Sequence, residues 1–246
     1  MNPFSLSSFY TEAYYNDIRL GPATSFAYAF EGKKFLITNL HVVSGKNTNT
    51  GKCLDKTASI PNKLIIHYYN QKGDKKNYII NYNELNLSDE WLFTDKIDIA
   101  IKEMPADFDA VAINTLEFEL EENETLQLDI KDTLIVLGYP NGLPNNFLPI
   151  FKTASIASEP VVFGKKLDTF YIDAATRKGM SGSPVLYSSN ILKTNKNNAF
   201  LPCVVNSLVG IYSGRDGLWE NEADAQLGIV WSTDLVIKLL KENITR

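Results

Sequence analysis

Histidine is almost missing from this chain: among 246 residues, only His41 and His67 carry an imidazole. Cysteine is as scarce, with Cys53 and Cys203 alone, neither in a CxxC pair nor near a histidine at zinc-ligand spacing. That excludes a zinc ligand set and a disulfide framework, and leaves each cysteine as a small apolar filler or an exposed thiol. No apolar run approaches the ~18–20 residues that span a bilayer. The opening MNPFSLSSFYTEAYYNDIRLGP lacks the basic start and continuous apolar stretch of a secretory signal. Positive charge is not in excess either: 24 Lys and Arg face 29 Asp and Glu, for a net charge of −5 with no basic stretch. Nucleic acid and anionic membrane are therefore poor candidates for the main partner. The expectation is a cytoplasmic protein, in which the sequons at Asn86, Asn123 and Asn243 are chance matches.

What the chain does have is short apolar runs rich in Ile, Val, Phe and Tyr, separated by Gly, Asn, Asp and Lys clusters, which is strand-and-turn texture. The runs lie at 25–30, 34–40, 63–69, 77–82, 97–101, 133–139 and 208–212, and EGK joins the first two as a hairpin-sized turn. One segment reads as a helix: STDLVIKLLKEN at 232–243, with Ser232 or Thr233 as cap and Leu235, Val236, Leu239 and Leu240 on one face. The acidic stretch at 115–131 separates two strand-rich halves, and NILKTNKNNAF at 190–200 reads as a polar surface loop. A chain of this length buries roughly 70–75% of its unfolded surface, enough for a core without staples.

The chemistry centres on GMSGSP at 179–184. A serine hydroxyl is a poor nucleophile until a base takes its proton, and only two histidines are available. The α/β-hydrolase elbow GxSxG fails, because Ser183 stands in its fifth position and no histidine comes after Ser181. The order His, Asp, Ser does fit. His41 lies in LITNLHVV just beyond an apolar strand, and Asp98 lies between Ile97 and Ile99, where an ionised carboxylate needs a hydrogen-bonded partner. His67 alternates with apolar neighbours in KLIIHYY and reads as a strand histidine, and Trp91 and Trp231 read as core aromatics.

With LITNLHVV, DIAI, VLGYPNG, DAATRKGMSGSPV and LVGIYSG in this order, the chain resembles the chymotrypsin-fold, trypsin-like serine proteases over residues 21–242. In texture it is most similar to the HtrA-type bacterial branch, without room for a PDZ domain. The resemblance implies an all-β fold of two antiparallel six-stranded β-barrels with a C-terminal helix. An N-terminal extension would cover 1–20, the first barrel 21–120, and the second barrel with the helix 121–246. It implies His41 as general base, Asp98 as its orienting carboxylate and Ser181 as nucleophile. The N–H groups of Gly179 and Ser181 would form the oxyanion hole. Counting back from Ser181 puts the primary pocket base at Ala175, with Ala174 beside it and Ser213 and Gly214 on the wall. No acid stands there, so a small or medium apolar side chain is expected before the scissile bond, unless Arg215, Asp216 and the acidic loop at 220–224 reshape the cleft. Met180 occupies the place where activated digestive relatives keep an aspartate, which argues against a zymogen switch. The implied reaction is peptide hydrolysis without cofactor or metal, on a polypeptide substrate and under an unidentified regulator. The rival readings are a peptide-binding pseudoprotease on the same fold and, third, an esterase.

Overall fold

Period-two alternation builds the sheets. In Lys63–Tyr69 the side chains of Leu64, Ile66 and Tyr68 are buried while their neighbours are half exposed, as a pleated strand with one face on the core requires. The computed structural model describes residues 1–116, 128–130, 132–142, 146–162, 165–194, 200–215 and 227–244. Most of the acidic 115–131 connection, the expected 120/121 domain boundary, Asp216 and the 220–224 loop lie outside the described residues.

The first half comprises β1 (Ser8–Tyr15), β2 (Ile18–Phe30), β3 (Lys33–Thr38), β4 (Lys63–Tyr69), β5 (Lys75–Asn81), β6 (Leu92–Thr94) and β7 (Ile97–Glu103). They form one antiparallel sheet in the order β5-β4-β1-β2-β3-β7-β6. Two expectations are corrected here. The sheet has seven strands and does not close into a six-stranded barrel, because its edge strands β5 and β6 do not pair with each other. An irregular segment lies against it instead, with Ala112 bridging Ala27, Ala110 bridging Asn70, and Phe108 buried in the core. Residues 1–20 are also not an appendage: β1 sits mid-sheet between β4 and β2, with Phe9 fully buried and Thr11 bonded to Ser25 at 2.7 Å. The EGK hairpin turn does form, with Glu31 and Gly32 both at positive φ, as a two-residue type I′ connection needs.

The second half matches its expectation. Strands β8 (Thr133–Gly138), β9 (Ile150–Ile156), β12 (Thr169–Asp173), β13 (Ser183–Thr194), β14 (Phe200–Arg215) and β15 (Leu227–Ser232) close into a six-stranded barrel, with β10 (Val161–Val162) and β11 (Lys165–Lys166) as a small ribbon. Of the 190–200 stretch expected as a loop, residues 190–194 and Phe200 instead continue the β13–β14 ladder, and 195–199 lie outside the described residues. Its polar composition does not prevent this, since backbone groups supply the ladder bonds.

Two cores fill the two halves, and a third joins them. In the third, Phe26, Ile99 and Ile101 from the sheet meet Leu186, Leu208 and Ile211 from the barrel. The terminal helix, Thr233–Ile244, adds Leu235, Val236, Leu239 and Leu240 to that core. The Ser232 hydroxyl caps it by accepting from the Asp234 N–H at 3.3 Å, while the Thr233 hydroxyl is spent on the Leu208 carbonyl.

Candidate active site

Strand β3 is apolar and fully buried at Phe35, Leu36 and Ile37, and this rigid support anchors the single helical turn after it, α1 (Leu40–Ser44), which carries His41. Gly45 ends that turn at φ +63°, where an added Cβ would stand 2.5 Å from the Pro61 Cδ. Asp98 faces this turn from β7. Its Oδ1 accepts from the His41 backbone N–H at 2.8 Å, and its Oδ2 lies 2.7 Å from His41 Nδ1. The Asn39 side-chain amide adds a bond to the Asp98 carbonyl at 2.7 Å. Because an ionised carboxylate only accepts, Nδ1 of His41 must donate, which leaves Nε2 of the neutral ring as an acceptor.

Asp98 is 2% exposed. Burial alone would push its carboxyl up, but the adjacent His41 ring and the hydrogen bonds from His41 and Ser213 outweigh that and hold it below the ordinary carboxylate range. The Ser213 hydroxyl donates to the same Oδ2 that meets His41.

Ser181 lies between β12 and β13. Its hydroxyl donates to the Ser213 carbonyl at 3.2 Å. Among the described residues no hydrogen bond joins Ser181 to His41; Ser213 links Ser181 to Asp98 instead, through its carbonyl on one side and its hydroxyl on the other. Met180 is fully buried in the barrel core, so the loop is anchored by its apolar side chain.

The backbone of this loop is held carbonyl by carbonyl. The Lys178 oxygen accepts from Asn141 N at 2.6 Å and the Met180 oxygen from Ser183 N at 3.0 Å. The Gly179 oxygen accepts from Thr24 Oγ1 at 2.8 Å, and the Ser181 oxygen from Thr24 N at 2.8 Å. In a trans peptide the N–H points opposite its carbonyl. With the Lys178 and Met180 carbonyls tied into the protein, the N–H groups of Gly179 and Ser181 are turned away from it, and among the described residues neither has an acceptor. Gly179 has φ +92°, and a Cβ there would fall 2.3 Å from the Tyr139 carbonyl oxygen, so this position admits glycine alone without rearrangement.

The expected pocket residues are placed unevenly. Ala174 is buried in the barrel core, Ala175 is exposed, and Gly214 has open space around it. Ser213, expected only as pocket wall, is tied to Asp98. Next to Ala175, buried Thr176 meets the Tyr212 hydroxyl at 2.5 Å. His67 is elsewhere on the sheet, 3.1 Å from Glu12 and stacked on Tyr10 and Phe147. Sequence reasoning missed the parts of Ser213, Asn39 and Thr24. The pair Ser213-Gly214 directly after the apolar run at 208–212 was the available signal for the first; the other two carried none.

The fold is that of the chymotrypsin-like proteases. The profile of the trypsin-like peptidase domain matches residues 23–190, which include His41, Asp98 and Ser181, and the chain belongs to that family. Among solved structures it is similar to a serine endoprotease from Yersinia pestis, at 16% identity and a TM-score of 0.51, covering 97% of this chain and 62% of that one. The chain thus spans less than two thirds of that relative. It is also similar to the MamO protease domain from Magnetospirillum magneticum in its apo form, at 12% identity and a TM-score of 0.50, covering 96% and 97% of the two chains. No curated protein sequence matches significantly. Among the described residues no helix is long and apolar enough to cross a membrane.

Proposed function

We propose that this protein is a serine endopeptidase working through an acyl-enzyme. His41 Nε2 takes the Ser181 hydroxyl proton as Oγ attacks the peptide carbonyl, and Asp98 stabilises the imidazolium that forms. The carbonyl oxygen, now an oxyanion, is met by the Gly179 and Ser181 N–H groups. His41 then returns the proton to the leaving amine as the C–N bond breaks, and a water attacks the resulting ester by the same route. The step uses no group beyond these side chains and amides. The observation that carries this reading is the pair of N–H groups beside a serine that have no acceptor among the described residues, together with a histidine whose tautomer Asp98 dictates. Removing one preorganised donor of this kind costs about 3–4 kcal/mol of barrier.

The substrate on this reading is a polypeptide with a small or medium apolar residue before the scissile bond, the site of action is the cytoplasm, and an unidentified regulator or sensor protein restrains the enzyme. Labelling with a fluorophosphonate, with the modified peptide then mapped, tests the chemistry: modification at Ser181, lost in Ser181→Ala, is expected. One observation favours a second reading. The Ser181 hydroxyl rests on the Ser213 carbonyl and not on His41, as a silent peptide-binding relative would tolerate. Serine χ1 rotamers interconvert readily, and catalytic hydrogen bonds often tighten only with substrate bound. Tight peptide binding with no labelling at Ser181 would establish the silent form.

A further inference from the structure

His41 and Ser181 belong to different halves of the molecule, and productive geometry has to be held to about 0.5 Å. We infer that Thr24, on β2, is the positioning residue that sets the nucleophile loop in register with the base; the inference rests on the proposed serine chemistry. Thr24 is fully buried, and both its backbone and its hydroxyl bond towards the site. Its N–H donates to the Ser181 carbonyl at 2.8 Å, and its hydroxyl donates to the Gly179 carbonyl at 2.8 Å. The same hydroxyl accepts from the Tyr139 N–H at 3.3 Å. Its carbonyl accepts from the Thr38 hydroxyl at 2.8 Å. Thr38 closes β3, three residues before His41. A continuous path of short bonds therefore runs from the strand that leads into the turn carrying the base, through one residue, to the backbone on both sides of the nucleophile.

Packing enforces the same register. Gly182, at φ +85°, lies against this link so closely that an added Cβ would stand 2.0 Å from the Thr24 carbonyl oxygen and 2.5 Å from Thr38 Oγ1. The loop therefore has no room to slide along β2. The 179–180 peptide is held against rotation on both sides, by the Thr24 hydroxyl on the Gly179 carbonyl at 2.8 Å and by the Met180 N–H donating to the Arg177 carbonyl at 3.2 Å. A serine at position 24 would keep the bond. A valine would keep the shape and lose both the donor to Gly179 and the acceptor for Tyr139.

The test compares wild type, Thr24→Val and Thr24→Ser by two readouts well below their melting temperatures. The first is the rate of fluorophosphonate labelling as a function of probe concentration. Misplacement of this kind costs up to about a hundredfold, so Thr24→Val should lose roughly 10- to 100-fold in the rate at saturation, with the half-saturating concentration little changed and Thr24→Ser close to wild type. The second is the position of the Gly179 and Ser181 amide signals in nuclear magnetic resonance spectra. They should move in Thr24→Val and return in Thr24→Ser. A loss confined to half-saturation, or amide signals unmoved in Thr24→Val, would overturn the inference. The amide readout decides it even if wild type is never labelled, an outcome that would sink the serine chemistry separately. Should Thr24→Val not fold, Thr38→Val carries the test, since it removes the bond to the Thr24 carbonyl: wild-type amide positions there would equally overturn it.

Discussion

The hydroxyl of Ser213 and the imidazole of His41 share one carboxylate oxygen, Oδ2 of Asp98. On the proposed mechanism Ser213 thus steadies the charge that orients His41, while its carbonyl holds the Ser181 hydroxyl. A hydrogen bond to a charged group contributes about 1.5–3 kcal/mol, so Ser213→Ala should lower kcat/KM by roughly 10- to 100-fold. Steady-state kinetics on a peptide substrate measure it, and activity within twofold of wild type would mean the bond is idle.

Gly179 and Gly32 both have positive φ, but their surroundings differ. A Cβ at Gly179 meets the Tyr139 carbonyl at 2.3 Å, whereas one at Gly32 meets nothing within 4 Å. Gly32→Ala should cost about 1–2 kcal/mol of stability from backbone strain alone. Gly179→Ala should also displace a donor of the proposed oxyanion hole and reduce turnover by about 10²–10³-fold. Denaturant melts and kinetics on the two variants separate the effects. Equal turnover losses would refute the distinction.

The depressed Asp98 carboxyl carries a stability signature. Its folded value lies below the unfolded one, so its contribution is present above the unfolded value, about pH 3.9, and is lost as pH falls through the folded value. The advantage of wild type over Asp98→Asn in urea unfolding should be present at pH 5 and vanish on further acidification below the ordinary carboxylate range. An advantage that disappears already between pH 7 and pH 5 would contradict the assignment.

Because β1 lies mid-sheet, a chain beginning at Ile18 would leave β2 and β4 with unpaired edges and remove Phe9 from the core. Such a variant should show no cooperative thermal transition. A short tag before Met1, which is 78% exposed, should leave melting and labelling unchanged. A cooperatively folding truncated chain would show that β1 is dispensable.

Residues close in sequence left legible patterns. The alternation of Leu64, Ile66 and Tyr68, the Glu31-Gly32 turn, the Ser232 cap and the apolar face of the terminal helix each arise from interactions within a few residues, so composition and spacing reveal them. The apolar flanks of Asp98 likewise announced a carboxylate in need of a partner, and the order of His41, Asp98 and Ser181 narrowed the chemistry.

Other features depend on contacts between distant parts of the chain, and no local pattern records them. Strand β1 was hidden because Thr11, though polar, is buried against Ser25; a strand enclosed within a sheet need not alternate. Whether the first half closes depends on how two edge strands meet, which side-chain periodicity does not encode. Ser213 reaches Asp98 across 115 residues, and Thr24 reaches Gly179 across 155. Ser and Thr occur in turns, caps and strands alike, so only the folded chain shows which of their hydroxyls hold the site together.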